Sequence, residues 1–268
     1  MENRKEVIDH IVDWMEGYAQ GARTEGFVVG ISGGIDSAVV SALAARTGLR
    51  TVCVTLPIHQ VASHVRRAEE HIGWLMARYP NVVSEGIDLT EPYDRFIRDL
   101  PVSSNEDRQH LTHANTRSRL RMVALYYVAG LNNLLVAGTG NKIEDFGVGF
   151  FTKYGDGAVD LSPIADLTKT EVYAVAGELG IVESIRTAPP TDGLFGDDRS
   201  DEDQIGASYP ELEWAMEQAE TGAHPEDFTG REREVFEIFQ HRNRVNRHKM
   251  NPIPVCQIPS ELRGKKKE

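Results

Sequence analysis

The stretch FVVGISGGIDSAVVSALAARTG, residues 27–48, holds a hydrophobic run, a turn of small residues and a helical pattern, in that order. Residues 27–31 read as a strand covered on both faces, and residues 36–46 read as a helix. Between them, Ser32-Gly33-Gly34-Ile35-Asp36-Ser37 gathers glycines, hydroxyls and a carboxylate into one turn. Glycine accepts positive φ and lets a ligand approach the backbone. The unpaired N–H groups of a first helical turn, with the helix dipole behind them, favour an anion there. The turn therefore suits a phosphate or pyrophosphate. The bland alternative is a tight strand-to-helix connection in which Asp36 only caps the helix.

Outward from this unit the pattern repeats. Residues 51–56, 82–87 and 134–138 are further short apolar or β-branched runs. Helical spacing occupies residues 7–18, 65–79 and 105–131, the last with Leu120, Val123, Ala124, Tyr127 and Leu131 as its expected core stripe. Strands alternating with helices predict right-handed crossovers and an α/β, doubly wound parallel sheet. Residues 141–160 are glycine-rich and predict an ordered loop region. A helix is expected over 168–179, a loop that orders with ligand over 187–204, and closing helices over 209–219 and 231–246. No internal repeat or linker is visible. The expectation is one domain over residues 1–268 with a helical C-terminal portion.

Composition narrows the function. Of 268 residues, 40% are hydrophobic, enough for a substantial core. A net charge of −12 argues against a nucleic-acid partner. The charged N-terminal residues resemble no signal peptide, and no apolar run is long enough for a membrane span, so a cytoplasmic location is expected. Cys53 lies within the apolar run TVCVTL and reads as core, and with Cys256 it forms no disulfide framework.

The turn is neither a Walker A loop nor a GxGxxG fingerprint. It resembles the SGGxDS signature of the ATP pyrophosphatases, which bind ATP and transfer AMP to a substrate. Within that group, GTGNKIEDFGVGFFTKYGDGAVDLSPIADLTKTEVYAVAGELGI, starting at Gly138, resembles the NAD synthetases. So do APPTDGLF, SDEDQIGASYPELE and the His248-Lys249 pair. The likeness covers about residues 25–252, with separate motifs in the expected order. It implies an adenine nucleotide alpha hydrolase-like fold and a two-step reaction. The nicotinate carboxylate of deamido-NAD is adenylated by ATP, and ammonia then displaces AMP. It also implies Mg²⁺ and a homodimer.

The resemblance distributes roles over named residues. Gly30, Ser32, Gly33, Gly34 and Ser37 would cradle ATP, with Thr139, Lys169 and Thr191 as further ATP contacts and Leu56 near adenine. Asp36 and Glu144 would carry magnesium, a cation that prefers carboxylate and phosphate oxygens. They follow the first and fourth strands, which such folds place side by side at the switch point where ligands bind. Asn115, Arg119, Phe150, Lys153, Asp160, His248 and Lys249 would contact deamido-NAD, the last pair from a tail that orders on binding. Asp36, Lys169 and Asp156 would serve catalysis, with Asp156 receiving a proton from ammonium. On the residues alone the alternatives stand. Glu144 also reads as a solvated carboxylate and Lys169 as a surface residue in a first helical turn. Arg119 also reads as a surface ion pair, Phe150 as a buried aromatic, Thr191 as a loop hydroxyl, and His248-Lys249 as part of a basic patch. A nucleotide sensor without turnover would use the same loop. No residues remain for an amidase domain, so free ammonia, not glutamine, is the expected nitrogen source.

Overall fold

The computed structural model describes residues 1–190 and 200–263. Four strands, β1 (Gly26–Gly30), β2 (Arg50–Thr55), β3 (Val82–Gly86) and β4 (Leu135–Val136), form a parallel sheet in the order β3-β2-β1-β4. Val28 of β1 sits opposite Val52 on one side and Val136 on the other. β1 is thus central, and the strands following it in space depart in opposite directions. That is the switch-point arrangement the resemblance implies.

Side chains alternate across this sheet, as the period of a strand demands. Phe27, Val29 and Cys53 point into a core closed by α1 (Arg4–Ala22), α2 (Ile35–Arg46), α3 (Ala62–Met76) and α6 (Lys169–Leu179). Val28, Val52, Val54 and Val136 point to the other face, covered by α4 (Thr90–Arg98) and α5 (Glu106–Asn132). A third core lies beyond the sheet, where residues 142–148 pack with α9 (Tyr209–Glu220) and α10 (Gly230–Met250) around Leu212, Phe236 and Phe239. The helical C-terminal portion is therefore a body with its own core.

Several expectations need correction. Within α5, Leu120 and Ala124 pack toward the sheet, but Val123, Tyr127 and Leu131 are exposed. The buried positions are Ala114, Ser118, Val128 and Ala129. Apolar residues occur on more than one side of this helix, so periodicity alone does not pick the buried side. In α3, Met76 falls by helical spacing on the apolar face of Val65, Ala68, Ile72 and Leu75, and it is likewise exposed. The glycine-rich region opens with a π-helical turn, Lys142–Val148. The expected loop over 187–204 ends in a short helix, α8 (Asp201–Ile205), and another, α7 (Glu183–Arg186), precedes it. The closing helix runs on to Met250, so His248 and Lys249 belong to its last turn and not to a tail.

Candidate active site

The cleft opens at the carboxyl ends of β1, β2 and β4. Its floor is the turn after β1. Gly34 is the N-cap of α2 and brings no side-chain cap, so the first N–H groups of the helix stay available to a ligand. The serines shape the loop. Ser37 Oγ donates to the Gly34 carbonyl at 3.0 Å and accepts from the Ser32 N–H at 3.3 Å. The Gly34 N–H donates to Ser32 Oγ at 3.2 Å. Gly33 has φ +85°, and a Cβ there would collide with the His64 carbonyl oxygen in the first turn of α3. Behind the loop, Ser41 Oγ donates to the Ser37 carbonyl at 2.8 Å and meets His71 Nε2 at 2.9 Å. Burial depresses the His71 imidazole to about 4, so it is neutral at pH 7.

Three distant segments converge above this floor. Thr168 caps α6 in a T-x-x-E capping box with Glu171, which fixes Lys169 as the first helical residue. A cation at a helix N-terminus opposes the dipole, and Lys169 is 3% exposed. Two carboxylates compensate it. Lys169 Nζ donates to Asp36 Oδ2 at 2.6 Å and to Glu144 Oε1 at 2.9 Å. Burial works against the Lys169 charge, but both carboxylates overcome that and hold its pKa above the ordinary lysine value. The carboxylates share one ammonium, and their pKa values split. Burial, together with the charge of Glu144, raises Asp36 even against Lys169. Burial pushes Glu144 up as well, but Lys169 and the Tyr209 hydroxyl prevail and hold it low.

Two residues that the sequence did not single out complete the cluster. Buried Asn141 accepts from the Ile143 and Glu144 N–H groups, both at 3.1 Å, and donates to Asp36 Oδ1 at 3.2 Å. It starts the π-turn and ties both carboxylates together. Tyr209, buried at the start of α9, donates to Glu144 at 2.5 Å. The local signal for Asn141 was an Asn two residues before an apolar position, a helix-cap pattern. Tyr209 lies within the quoted stretch SDEDQIGASYPELE, where its local signal is the S-x-x-E capping box that begins α9.

The remaining candidates divide into two groups. Gly30, Leu56, Thr139, Phe150 and Asp156 line the cleft with the phosphate loop. The Leu56 carbonyl accepts from Arg121 Nε at 2.9 Å, and Arg121 also donates to Gln60 at 2.9 Å. Asp156 accepts from Ser118 at 2.6 Å and from the Thr152 N–H at 3.1 Å. Asn115, Arg119, Lys153, Asp160, His248 and Lys249 do not line it. Asn115 Oδ1 accepts from Thr152 at 2.7 Å, and Arg119 Nε donates to the Lys153 carbonyl at 3.2 Å. Lys153 Nζ donates to the His248 carbonyl at 2.5 Å. Lys249 Nζ donates to the carbonyls of Gly149 and Phe151 at 2.6 and 2.8 Å. Asp160 accepts from the Val136 N–H at 2.8 Å and from Tyr126 at 3.2 Å, bracing β4. Thr191 lies outside the described residues.

A loop ready for phosphates, beside two carboxylates converging on one point, can hold a nucleotide with a hard divalent cation. Asp36 and Glu144 bring only oxygen donors. Among the described residues no third carboxylate, histidine or cysteine joins them. The set thus fits a magnesium ion whose remaining ligands are phosphate and water oxygens.

Comparison with known proteins agrees with this chemistry. The NAD synthase family model matches residues 7–253. The NH₃-dependent NAD⁺ synthetase of Carboxydothermus hydrogenoformans is 35% identical over 249 residues, spanning 91% of this chain and 96% of the relative. That of Methanosarcina mazei is 36% identical over 257 residues, spanning 93% and 97%. Among solved structures, an NMN synthetase from Francisella tularensis superposes with a TM-score of 0.83 at 29% identity, covering 96% of this chain and 100% of that one. By sequence and by fold, this chain belongs to the NAD synthase family.

Proposed function

We propose that the chain amidates deamido-NAD with free ammonia at the expense of ATP, through an acyl-adenylate, giving NAD, AMP and pyrophosphate. The observation that carries the reading is the convergence of Asp36, Glu144 and Lys169 on the phosphate loop at the switch point of the sheet. In the first step a nicotinate carboxylate oxygen bonds to the α-phosphorus. The bond to the β-phosphate oxygen breaks, and its electron pair leaves with pyrophosphate. Ser32, Gly33, Gly34 and Ser37 hold the departing phosphates, and Thr139 and Thr191 add hydroxyls. Asp36 and Glu144 would hold the magnesium ion, which when bound offsets charge on the phosphates. Lys169 exchanges a carboxylate for a phosphate oxygen.

In the second step ammonia attacks the activated carbonyl, and the bond to AMP breaks. Ammonium gives up one proton before attack and a second as the amide forms. Asp156, on the cleft wall, is the acceptor we assign. Phe150 stacks on the nicotinate ring at the same wall. The outer group, Asn115, Arg119, Lys153, Asp160, His248 and Lys249, serves deamido-NAD beyond the cleft. The homodimer reading is supported by α5, where Val123, Tyr127 and Leu131 are 56, 67 and 69% exposed, four residues apart on one side. A second copy would cover them. Residues 1–268 act as one domain, in the cytoplasm. No helix among the described residues is long and apolar enough to cross a membrane.

The Cys53 thiol is buried in β2 and pushed up to about 12 by burial, unsuited to attack glutamine. The test is NAD and AMP formation from deamido-NAD, ATP, Mg²⁺ and either ammonium chloride or ammonia-free glutamine. We expect product from ammonium alone. Binding without AMP release would replace the reading with a nucleotide sensor. The likeness to an NMN synthetase favours one variant of the same chemistry, amidation of nicotinate mononucleotide. The ratio of kcat/KM for the two acids decides between them.

A further inference from the structure

The charges around the phosphate loop are not matched to a triphosphate by the residues assigned so far. Lys169 already faces two carboxylates, at 2.6 and 2.9 Å. Arg121, at the β2 end of the cleft, is directed to Leu56 and Gln60. Arg67 in α3 differs from both. It is half-buried, and it lines the cleft together with Ser32, Gly33 and Gly34. Its Nε donates to the Gly33 carbonyl at 3.2 Å, the sole hydrogen bond it makes among the described residues. No carboxylate among them pairs with it. The first turn of α3 packs on the loop where Gly33 lacks a Cβ, so Arg67 is held to the loop by backbone packing as well as by its own bond.

We infer that Arg67 is a direct ligand of the β- and γ-phosphates of ATP and of the pyrophosphate they become. The inference rests on reading residues 32–37 as the phosphate loop. A guanidinium has five N–H donors in a planar fork, and the Nε bond leaves both Nη groups to take phosphate oxygens side by side. As the α-phosphorus changes partners, negative charge collects on the departing pyrophosphate. A cation with no carboxylate of its own meets that charge without first giving up an ion pair. Lys169 must give one up. The two residues therefore divide the work. Arg67 holds phosphate from the α3 side throughout, and Lys169 moves to it from the β4 side when the nucleotide enters.

The test separates charge from tethering. Arg67→Gln keeps an N–H donor for the Gly33 carbonyl and removes the charge. Arg67→Lys keeps the charge and removes the fork. The unmodified chain and both variants are titrated calorimetrically with magnesium pyrophosphate and, separately, with AMP, after circular dichroism has established that each is folded. A charge-assisted hydrogen bond corresponds to about ten- to hundredfold in affinity. Arg67→Gln is expected to weaken pyrophosphate at least fivefold and to leave AMP within twofold. Arg67→Lys is expected to fall between it and the unmodified chain. A smaller loss for pyrophosphate overturns the proposal, as does an equal loss for AMP, which reports a deformed loop. If Arg67→Gln does not fold, Arg67→Lys decides alone, and pyrophosphate binding equal to that of the unmodified chain overturns the proposal. Failure of the unmodified chain to bind either ligand removes the ATP reading itself.

Discussion

Two lysines mark the two sides of the site, and they are satisfied in opposite ways. Lys169, on the sheet side, is buried against two carboxylates, and its pKa is raised. Lys249, on the helical side, is half-buried against two carbonyl oxygens, and burial lowers its pKa. The sheet side is a closed electrostatic unit that a ligand must open by exchange. The helical side is a dipolar clamp: its ammonium is bound by carbonyl oxygens, and Asp156 acts on it from a distance without a direct ion pair. A phosphate-and-metal site and a site for the rest of the substrate, the roles proposed for these two sides, differ in this same sense. The first has strong charges to trade, and the second has geometry to offer.

The comparison breaks first at the carboxylates. Asp36→Asn and Glu144→Gln should each cut adenylation by about a thousandfold or more, as loss of a charged metal ligand removes several kcal/mol of transition-state stabilisation. Pyrophosphate release is the readout, with folding checked by circular dichroism. Near-normal turnover at limiting Mg²⁺ in either variant would mean that the sheet side is merely structural.

Lys169→Met asks whether the exchange is real. It leaves two buried carboxylates without a cation, a loss of about 3–5 kcal/mol. Magnesium without nucleotide should then raise the melting temperature of the variant, while leaving that of the unmodified chain where it was. Equal shifts in both would show that the ammonium does not stand where the metal goes.

The tether behind the phosphate loop gives a pH signature. His71 has its pKa lowered from 6.5 to about 4 in the folded chain. Its neutral form therefore contributes to stability fully above pH 6.5, and the contribution is lost as pH falls toward 4. The loss amounts to about 3 kcal/mol. Urea unfolding at pH 7 and pH 4.5, compared with His71→Phe, isolates it. The same pH dependence in both proteins would assign it to the carboxylates instead.

Lys249→Met sharpens the helical side. Removing the clamp should raise KM for the nicotinate substrate about tenfold while kcat moves little, the pattern of lost uniform binding. A fall in kcat without a change in KM would move Lys249 to the reacting atoms.

Much of this was readable in advance, for physical reasons. Strand runs around 27–31 and 51–56 are buried on both faces, so their composition is unambiguous. The strand-to-helix turn carries its chemistry in consecutive residues. What the sequence could not order was convergence across distance. Nothing local tells that Lys169 reaches Asp36 and Glu144 or that Tyr209 donates to Glu144. Arg67 sits inside VRRAEE, where it looks like any solvent-facing arginine. In α4, Pro92 and four charged residues mask the pattern around the one buried side chain, Tyr93. In α5, Tyr127 and Leu131 obey helical spacing but face outward, because the period fixes which residues share a side and not which side meets the sheet.

The grip of α10 on residues 146–151 has a consequence for how this enzyme can change. Asn243 donates to the Gly147 carbonyl at 2.8 Å, Asn246 to Val148 at 2.8 Å, and Lys249 to Gly149 and Phe151. Every one of these bonds reads the main chain. The path of the segment is thus specified by a helix elsewhere in the sequence, and its outward side chains carry no share of that duty. Phe146, half-exposed, is free to vary while the frame holds, and Phe150, on the cleft wall, can vary among side chains that keep its packing against the α9–α10 core. A library of apolar residues at Phe150, with Asn243, Asn246 and Lys249 kept, would explore new carboxylic acid substrates without unmooring the scaffold that presents them.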